Sequence, residues 1–314
     1  MAHILVVGSI NMDVVLRVAQ LPFAGETVRS AEIGYVCGGK GANQAIASAR
    51  AGARVTMVGA VGHDEMGQTL LSKLSANGID VSHIEQKQSS TGLAFISVNE
   101  SGENTIVLHE GANAELSVRD AHLHQAFDSK PDVLIVQNEI PLDVTKAVMQ
   151  QAHQLGIPVC FNPAPAQDIP KDIFEWVDIL IVNQGEASLL SGLTLVQGKD
   201  ISLAAKHFID LGVHEVMITL GNKGVFFVND KGLSRKIDAH RIDVVDSTGA
   251  GDTFVGFYVA LRAALYPPQH ALCYANAAAA LSVTRSGAEP SIPSFSEVTT
   301  FLSEQQWMNC KNVE

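Results

Sequence analysis

Short apolar runs separated by amphipathic stretches of helical length set the tightest limit on how this chain can fold. Such runs recur at residues 4–7, 55–58, 133–136, 159–162, 179–183, 216–220 and 224–228. The early ones read as buried parallel strands, each ending where a loop begins. Candidate helices fill the gaps at 42–51, 67–76, 142–155, 185–191, 201–211, 253–264 and 270–284. Repeated strand, helix, strand order predicts an α/β fold with a doubly wound, mostly parallel sheet flanked by helices. Ligands in such sheets bind beyond the carboxyl ends of the strands. The 314 residues suffice for one large domain, and with hydrophobic residues at 46% but aromatics at 6%, its core is built mainly from Ala, Val, Ile and Leu.

Two stretches break the rhythm. Residues 14–18 with 31–37, and 92–98 with 104–109, alternate like exposed antiparallel strands, with turns at 22–25 and 99–104. They predict a small inserted β-sheet, approximately 14–37 and 92–109, within a domain spanning 1–305. A sheet too small to bury both faces needs a partner surface, so it reads as a lid over an active site or a dimer contact. Residues 306–314 read as a loosely held tail.

The formal net charge of −12 argues against a nucleic-acid surface, because no segment supplies a basic stripe. The four cysteines, Cys37, Cys160, Cys273 and Cys310, form no C-x-x-C pair, so reduced thiols are expected rather than a zinc or redox site. No apolar run reaches membrane-spanning length and the N-terminus lacks a secretory pattern. A cytoplasmic enzyme is the expectation.

The segment from Asp246 to Phe254 carries the most chemistry. Gly249, Ala250 and Gly251 let bare backbone N–H groups approach a ligand, and the helix that follows adds unpaired donors and the positive end of its dipole. Asp252 stands in the first turn, where a proton acceptor for phosphoryl transfer would sit. The alternative is an ordinary Gly-rich helix entry. Residues 34–41 nearly spell a P-loop, yet Gly41 has no hydroxyl for magnesium and no core strand precedes it, so a P-loop NTPase is rejected. What remains, Gly38 to Asn43, is a turn into a helix that can hold a polyhydroxylated ligand close to backbone.

Asn11 and Asp13 follow the first strand and can face one way on extended chain, where a carboxylate accepts from vicinal hydroxyls. A strand-end turn with local hydrogen bonds fits the same residues. Glu139 stands at another strand end. Asn183 and Glu186, three apart at a helix start, can converge on a hydrated cation or form a capping box. Residues 219–224 form a Gly-bounded turn that admits a nucleotide or is a plain hairpin.

Together these segments resemble the ribokinase and phosphofructokinase B family of carbohydrate kinases. Its two signatures resemble Gly38 to Asn43 and Asp246 to Thr253, and the likeness extends from Gly8 to Pro293. The resemblance implies ATP-dependent phosphorylation of D-ribose at the 5-hydroxyl, with Asp252 as base and Gly249, Ala250 and Gly251 as anion hole. It assigns the sugar to Asn11, Asp13, Gly39, Lys40, Asn43 and Glu139. ATP falls to Asn183, Thr219, Gly221, Gly224, Gly251 and Asn276, and Mg2+ to Asn183 and Glu186 through water. It further implies an activating potassium ion at Asp246, Thr248, Ser282, Arg285, Gly287 and Ser291, several through backbone carbonyls, and a homodimer through the lid sheets. Rival readings are a kinase for another furanose, such as deoxyribose, fructose or a nucleoside, and a sugar sensor without turnover.

Overall fold

The computed structural model describes residues 1–99, 103–195 and 198–304. The chain begins β1 (His3–Val7), β2 (Asn11–Val18), β3 (Ser30–Gly38), α1 (Lys40–Arg50), β4 (Arg54–Gly62), α2 (Glu65–Ala76), β5 (Ile79–Lys87), β6 (Gly92–Val98) and β7 (Asn104–His109). It continues α3 (Ala121–Gln125), β8 (Val133–Gln137), α4 (Leu142–Gln154), β9 (Val159–Asn162), β10 (Ile179–Asn183), α5 (Gln184–Ser191), α6 (Gly198–Asp210) and β11 (Glu215–Thr219). It closes with β12 (Val225–Asn229), β13 (Ser234–Ile237), α7 (Ala250–Ala263), α8 (Pro268–Ser282) and α9 (Phe295–Glu304).

A nine-stranded sheet runs β13-β12-β11-β10-β9-β8-β1-β4-β5. Its strands from β11 through β5 pair parallel, and β12 and β13 are antiparallel. The central strands are buried on both faces, which is why they read as continuous apolar runs. In β1 the alternation is visible: Ile4 and Val6 join a core shared with α1, α7 and α8, while Leu5 and Val7 join the core on the opposite face with α4 and α6.

Four elements were invisible as apolar runs or helix signals, the five-residue α3 among them. β5 and β13 have mixed or exposed burial patterns, as edge strands do, and α9 buries only Val298 outright. The run at 224–228 forms β12, but as a hairpin partner of β11 rather than a parallel strand.

The second sheet has the order β3-β2-β6-β7. β2 starts at Asn11, earlier than the alternation indicated, so Asn11 and Asp13 lie on a strand and not in a strand-end turn. The central pair β2–β6 is parallel, against the expectation of antiparallel strands. The reason is topological: β1, β4 and β5 run parallel, so the chain leaving β1 and the chain leaving β5 depart from the same edge in the same direction.

Gly256 sets the spacing of α1 and α7. A Cβ there would meet the Cβ of Ala47, the carbonyl of Gln44 and the amide of Ser48, so only glycine lets the two helices approach this closely. Cys37 and Cys160 are buried free thiols, whereas Cys273 is disulfide-bonded, against the expectation of reduced cysteines. Among the described residues no helix is long and apolar enough to cross a membrane. The expected tail at 306–314 lies outside the described residues, as do residues 100–102 of the second expected turn.

Candidate active site

The carboxyl ends of β1, β8 and β9 meet the first turns of α1 and α7, and the four-stranded sheet stands on the same edge. Asp252, in the first turn of α7, is buried. Its Oδ2 accepts from Asn43 Nδ2 at 3.1 Å and its Oδ1 from Gln44 Nε2 at 2.9 Å. Gly249 precedes the helix with a φ of 75°, a left-handed conformation that favours glycine. Space is open beside Gly251, where a Cβ would meet no heavy atom within 4 Å. Unpaired helix N–H groups next to open space suit an anion. The Ala250 amide leans on the Ser247 carbonyl at 3.3 Å.

Asn11 and Asp13 project from β2 and are both buried. Asn113, which no sequence signal singled out, fixes Asn11. Its Oδ1 accepts from the Ile10 amide at 2.9 Å, and its Nδ2 donates to Asn11 Oδ1 at 2.8 Å. With its oxygen engaged, Asn11 has its NH2 left to act as a donor. Asn43 is fixed in the opposite sense: its NH2 serves Asp252 and its buried Oδ1 has no partner, ready to accept from a hydroxyl. Gly38 exists for Asp13, whose carboxylate occupies the space a Cβ would need.

The electrostatics are those of a ligand-free cluster of acids around one cation. Burial, then the nearby Glu139 and Asp252, push the Asp13 carboxyl up to about 7. Asp252, opposing the effect of burial, raises the Lys40 ammonium above its ordinary value, helped by Glu139, Glu186 and Asp13. Glu139 Oε2 accepts from Ser9 Oγ at 2.6 Å and from the Lys40 amide at 3.0 Å, fixing it over the start of α1. Gly39, the residue before α1, has a φ of 86° and lies against the Asn11 amide.

Asn183 and Glu186 form the capping box of α5: Asn183 Oδ1 accepts from the Glu186 amide and Glu186 Oε2 from the Asn183 amide, both at 2.8 Å. Burial raises the Glu186 carboxyl, and Lys40 and Asp252 also act on it. Thr219 ends β11, and its hydroxyl donates to the Val182 carbonyl at 3.4 Å. Gly221 and Gly224 bound the turn into β12. Asn276, on α8, donates to the Asp238 carbonyl at 2.9 Å and is tied to the segment after β13, not to the Asp252 cluster.

Asp246 joins two loops. Its Oδ1 accepts from the Thr248 amide at 2.9 Å and its Oδ2 from the Gly287 amide at 2.8 Å. Burial works upward on this carboxyl, but the hydrogen bonds from Gly287 and Thr248 hold it below the ordinary range. Ser282 and Ser291 donate to the Ala279 and Ala288 carbonyls, which leaves oxygen lone pairs free. The Arg285 guanidinium turns away to Glu297 at 2.6 Å, so only its backbone is near this site. One ionised carboxylate with hydroxyl and carbonyl oxygens is a donor set that fits a weakly hydrated monovalent cation. Among the described residues no group of three or more His, Cys, Asp or Glu could hold a metal ion.

Sequence reasoning missed Ser9, Gln44, Asn113, Gln137 and Asn162. Gln44 alone left a trace, a long polar side chain on a helix that is otherwise mostly Ala, Ile and Gly on its buried side.

The fold and site together define a class, an α/β enzyme that can hold a polyhydroxylated ligand between a small sheet and a buried carboxylate at a helix N-terminus. The profile of the pfkB family carbohydrate kinases matches residues 1–294. A ribokinase of Haemophilus influenzae is 41% identical over 298 residues, covering 95% of this chain and 97% of that protein. The crystal structure of a Thermotoga maritima ribokinase superposes with a TM-score of 0.88 at 37% identity, covering 96% of this chain and 100% of that one. An Arabidopsis thaliana ribokinase complexed with ribose and ATP also gives 0.88, at 30% identity over 96% of this chain and 99% of that one. The chain belongs to the pfkB family of carbohydrate kinases.

Proposed function

We propose that this carbohydrate kinase phosphorylates D-ribose at its 5-hydroxyl with ATP, giving ribose 5-phosphate and ADP. The observation that carries the reading is the buried Asp252 carboxylate, held by two amides with an open helix N-terminus beside it. Asp252 takes the proton of the 5-hydroxyl as that oxygen bonds to the γ-phosphorus, and the bond from phosphorus to the bridging oxygen breaks to release ADP. Phosphoryl transfer of this kind needs alignment and charge neutralisation more than a strong base. The N–H groups of Gly249, Ala250 and Gly251 would receive the charge on the transferred group.

Asn11 as donor, Asn43 as acceptor, and Asp13 and Glu139 as carboxylates grip the sugar hydroxyls, with Gly39 and Lys40 closing the pocket. The turn from Thr219 to Gly224 borders the nucleotide, and Asn276 supports the segment after β13 against it. Magnesium would be held through water by the free oxygen of Glu186 and by Asn183, and would neutralise phosphate charge. Potassium at Asp246, Thr248, Ser282, Arg285, Gly287 and Ser291 would order the loop before Gly249. The four-stranded sheet would act as a lid that excludes water and as the surface of a homodimer. A cytoplasmic site of action accords with an ATP-consuming reaction.

Coupled ADP release against ribose, deoxyribose, fructose and nucleosides, with and without potassium, tests this. Ribose is expected to give the highest kcat/KM, potassium to raise turnover, and Asp252→Asn to lower kcat by ~10²–10⁴-fold while ribose still binds. Full activity in Asp252→Asn would sink the mechanism; a better response to another sugar would move the substrate alone.

A further inference from the structure

Behind Asp252 runs a chain of buried amides to which the proposed function gives no part. Gln44 Nε2 donates both to Asp252 Oδ1 at 2.9 Å and to Asn162 Oδ1 at 3.0 Å. Gln44 Oε1 accepts from Gln137 Nε2 at 2.7 Å. Asn162 is oriented in turn by donating to the Ile181 carbonyl at 2.7 Å. Gln44 and Gln137 are fully buried, and the four groups come from α1, the ends of β8 and β9, and α7.

The direction of every bond in this chain is forced. Both Asp252 oxygens accept, and Asn162 presents its oxygen because its NH2 is committed to a main-chain carbonyl. Gln44 therefore faces two acceptors and must offer its NH2 to both. Its own oxygen must then accept, which fixes Gln137 as a donor and leaves the buried Gln137 Oε1 without a partner. Turning either glutamine over would set oxygen against oxygen at a buried contact. The orientation of Gln137 is thus set at its NH2 end, by the Gln44 oxygen.

The consequence falls on Asp252. With Oδ1 held by Gln44 and Oδ2 by Asn43, the carboxylate cannot rotate, and its remaining lone pairs point in one set of directions. We propose that Gln44, backed by Gln137, is a positioning residue that locks the Asp252 carboxylate in the rotamer able to receive the substrate hydroxyl proton. This rests on the reading of Asp252 as the base. Gln44 belongs to the same helix as Asn43, so α1 contributes one residue assigned to the sugar and a neighbour that meets the base and the amides behind it. Asn43 bears on both substrate affinity and turnover, because it also holds Asp252 Oδ2, whereas Gln44 bears on turnover.

The test is steady-state kinetics and ribose-binding calorimetry on Gln44→Met, Gln137→Met, the double variant and Asp252→Asn, with thermal melts for each. Gln44→Met is expected to lower kcat by ~10–100-fold with both KM values within ~3-fold of wild type, because misplacement of a reacting group acts on the transition state. Gln137→Met is expected to lower kcat by ~3–10-fold, and the double variant to be no slower than Gln44→Met, as residues acting through one another are not additive. Wild-type kcat in Gln44→Met, or a loss carried by KM for ribose, overturns the proposal. If Gln44→Met does not fold, Gln137→Met decides, since it does not touch Asp252: an unchanged kcat overturns and a fall at constant KM supports. Asp252→Asn separates the two readings. Its retention of activity would remove the base assignment, whereas its inactivity beside a fully active Gln44→Met would remove only the positioning role.

Discussion

At the scale of single residues the pocket sets function against stability, and Asp13 shows it most directly. Its carboxyl sits near 7 in the folded protein, mainly through burial, against about 3.9 in an unfolded chain. Between those values the folded state holds a proton the unfolded state has lost, so stability is full below about pH 4 and declines as pH rises toward 7. Asp13→Asn removes the charge without breaking any side-chain hydrogen bond among the described residues. Calorimetric melts are expected to show the ligand-free variant more stable than wild type at pH 8 by roughly 1–3 kcal/mol, with the difference shrinking by pH 5. Ribose affinity should be lost in the same variant. Equal stability profiles for the two proteins would show that Asp13 is not held protonated. The residue types were legible in the sequence, since Asn and Asp two apart on extended chain can face one way. Their orientation was not, because it comes from Asn113, a hundred residues away along the chain.

At the scale of elements the site depends on how closely α1 and α7 approach. Gly256 governs that distance, and Ser48 Oγ strengthens the contact by donating to the Gly256 carbonyl at 3.3 Å. Gly256→Ala would push α1, and with it Asn43 and Gln44, away from Asp252. Overpacking of this sort is expected to cost about 1–3 kcal/mol by denaturant titration and to lower kcat, even though Gly256 touches no substrate. A variant with normal turnover would show that the site tolerates a wider helix spacing. Most buried strands and longer helices were readable, the strands as continuous apolar runs and the helices by their 3.6-residue period. Edge strands β5 and β13 and the terminal α9 were not, because half-exposed elements need no continuous apolar run.

At the scale of the whole molecule the small sheet leaves an unpartnered surface. Ile33, Tyr35, Phe95 and Val107 are exposed, and the register puts them on the face opposite Asp13. Single exposed hydrophobics are ordinary, but four neighbours on one small sheet mark a place for another surface. With the homodimer proposed above, Tyr35→Lys with Val107→Lys is expected to move the protein from dimer to monomer in sedimentation velocity. A monomeric wild type, or a dimer that survives both lysines, would place the contact elsewhere.

By itself the sequence determined the layered α/β architecture, the inserted sheet and the identity of the residues in the Gly-rich turns, because these follow from local periodicity and backbone freedom. Tertiary structure alone decided that β2 and β6 pair parallel, that Asn113 orients Asn11, and that Asp252 is held from behind by Gln44. Each of these depends on groups far apart along the chain that meet only in the folded protein. There the direction of every hydrogen bond is set by its neighbours, and sequence spacing carries no information about them.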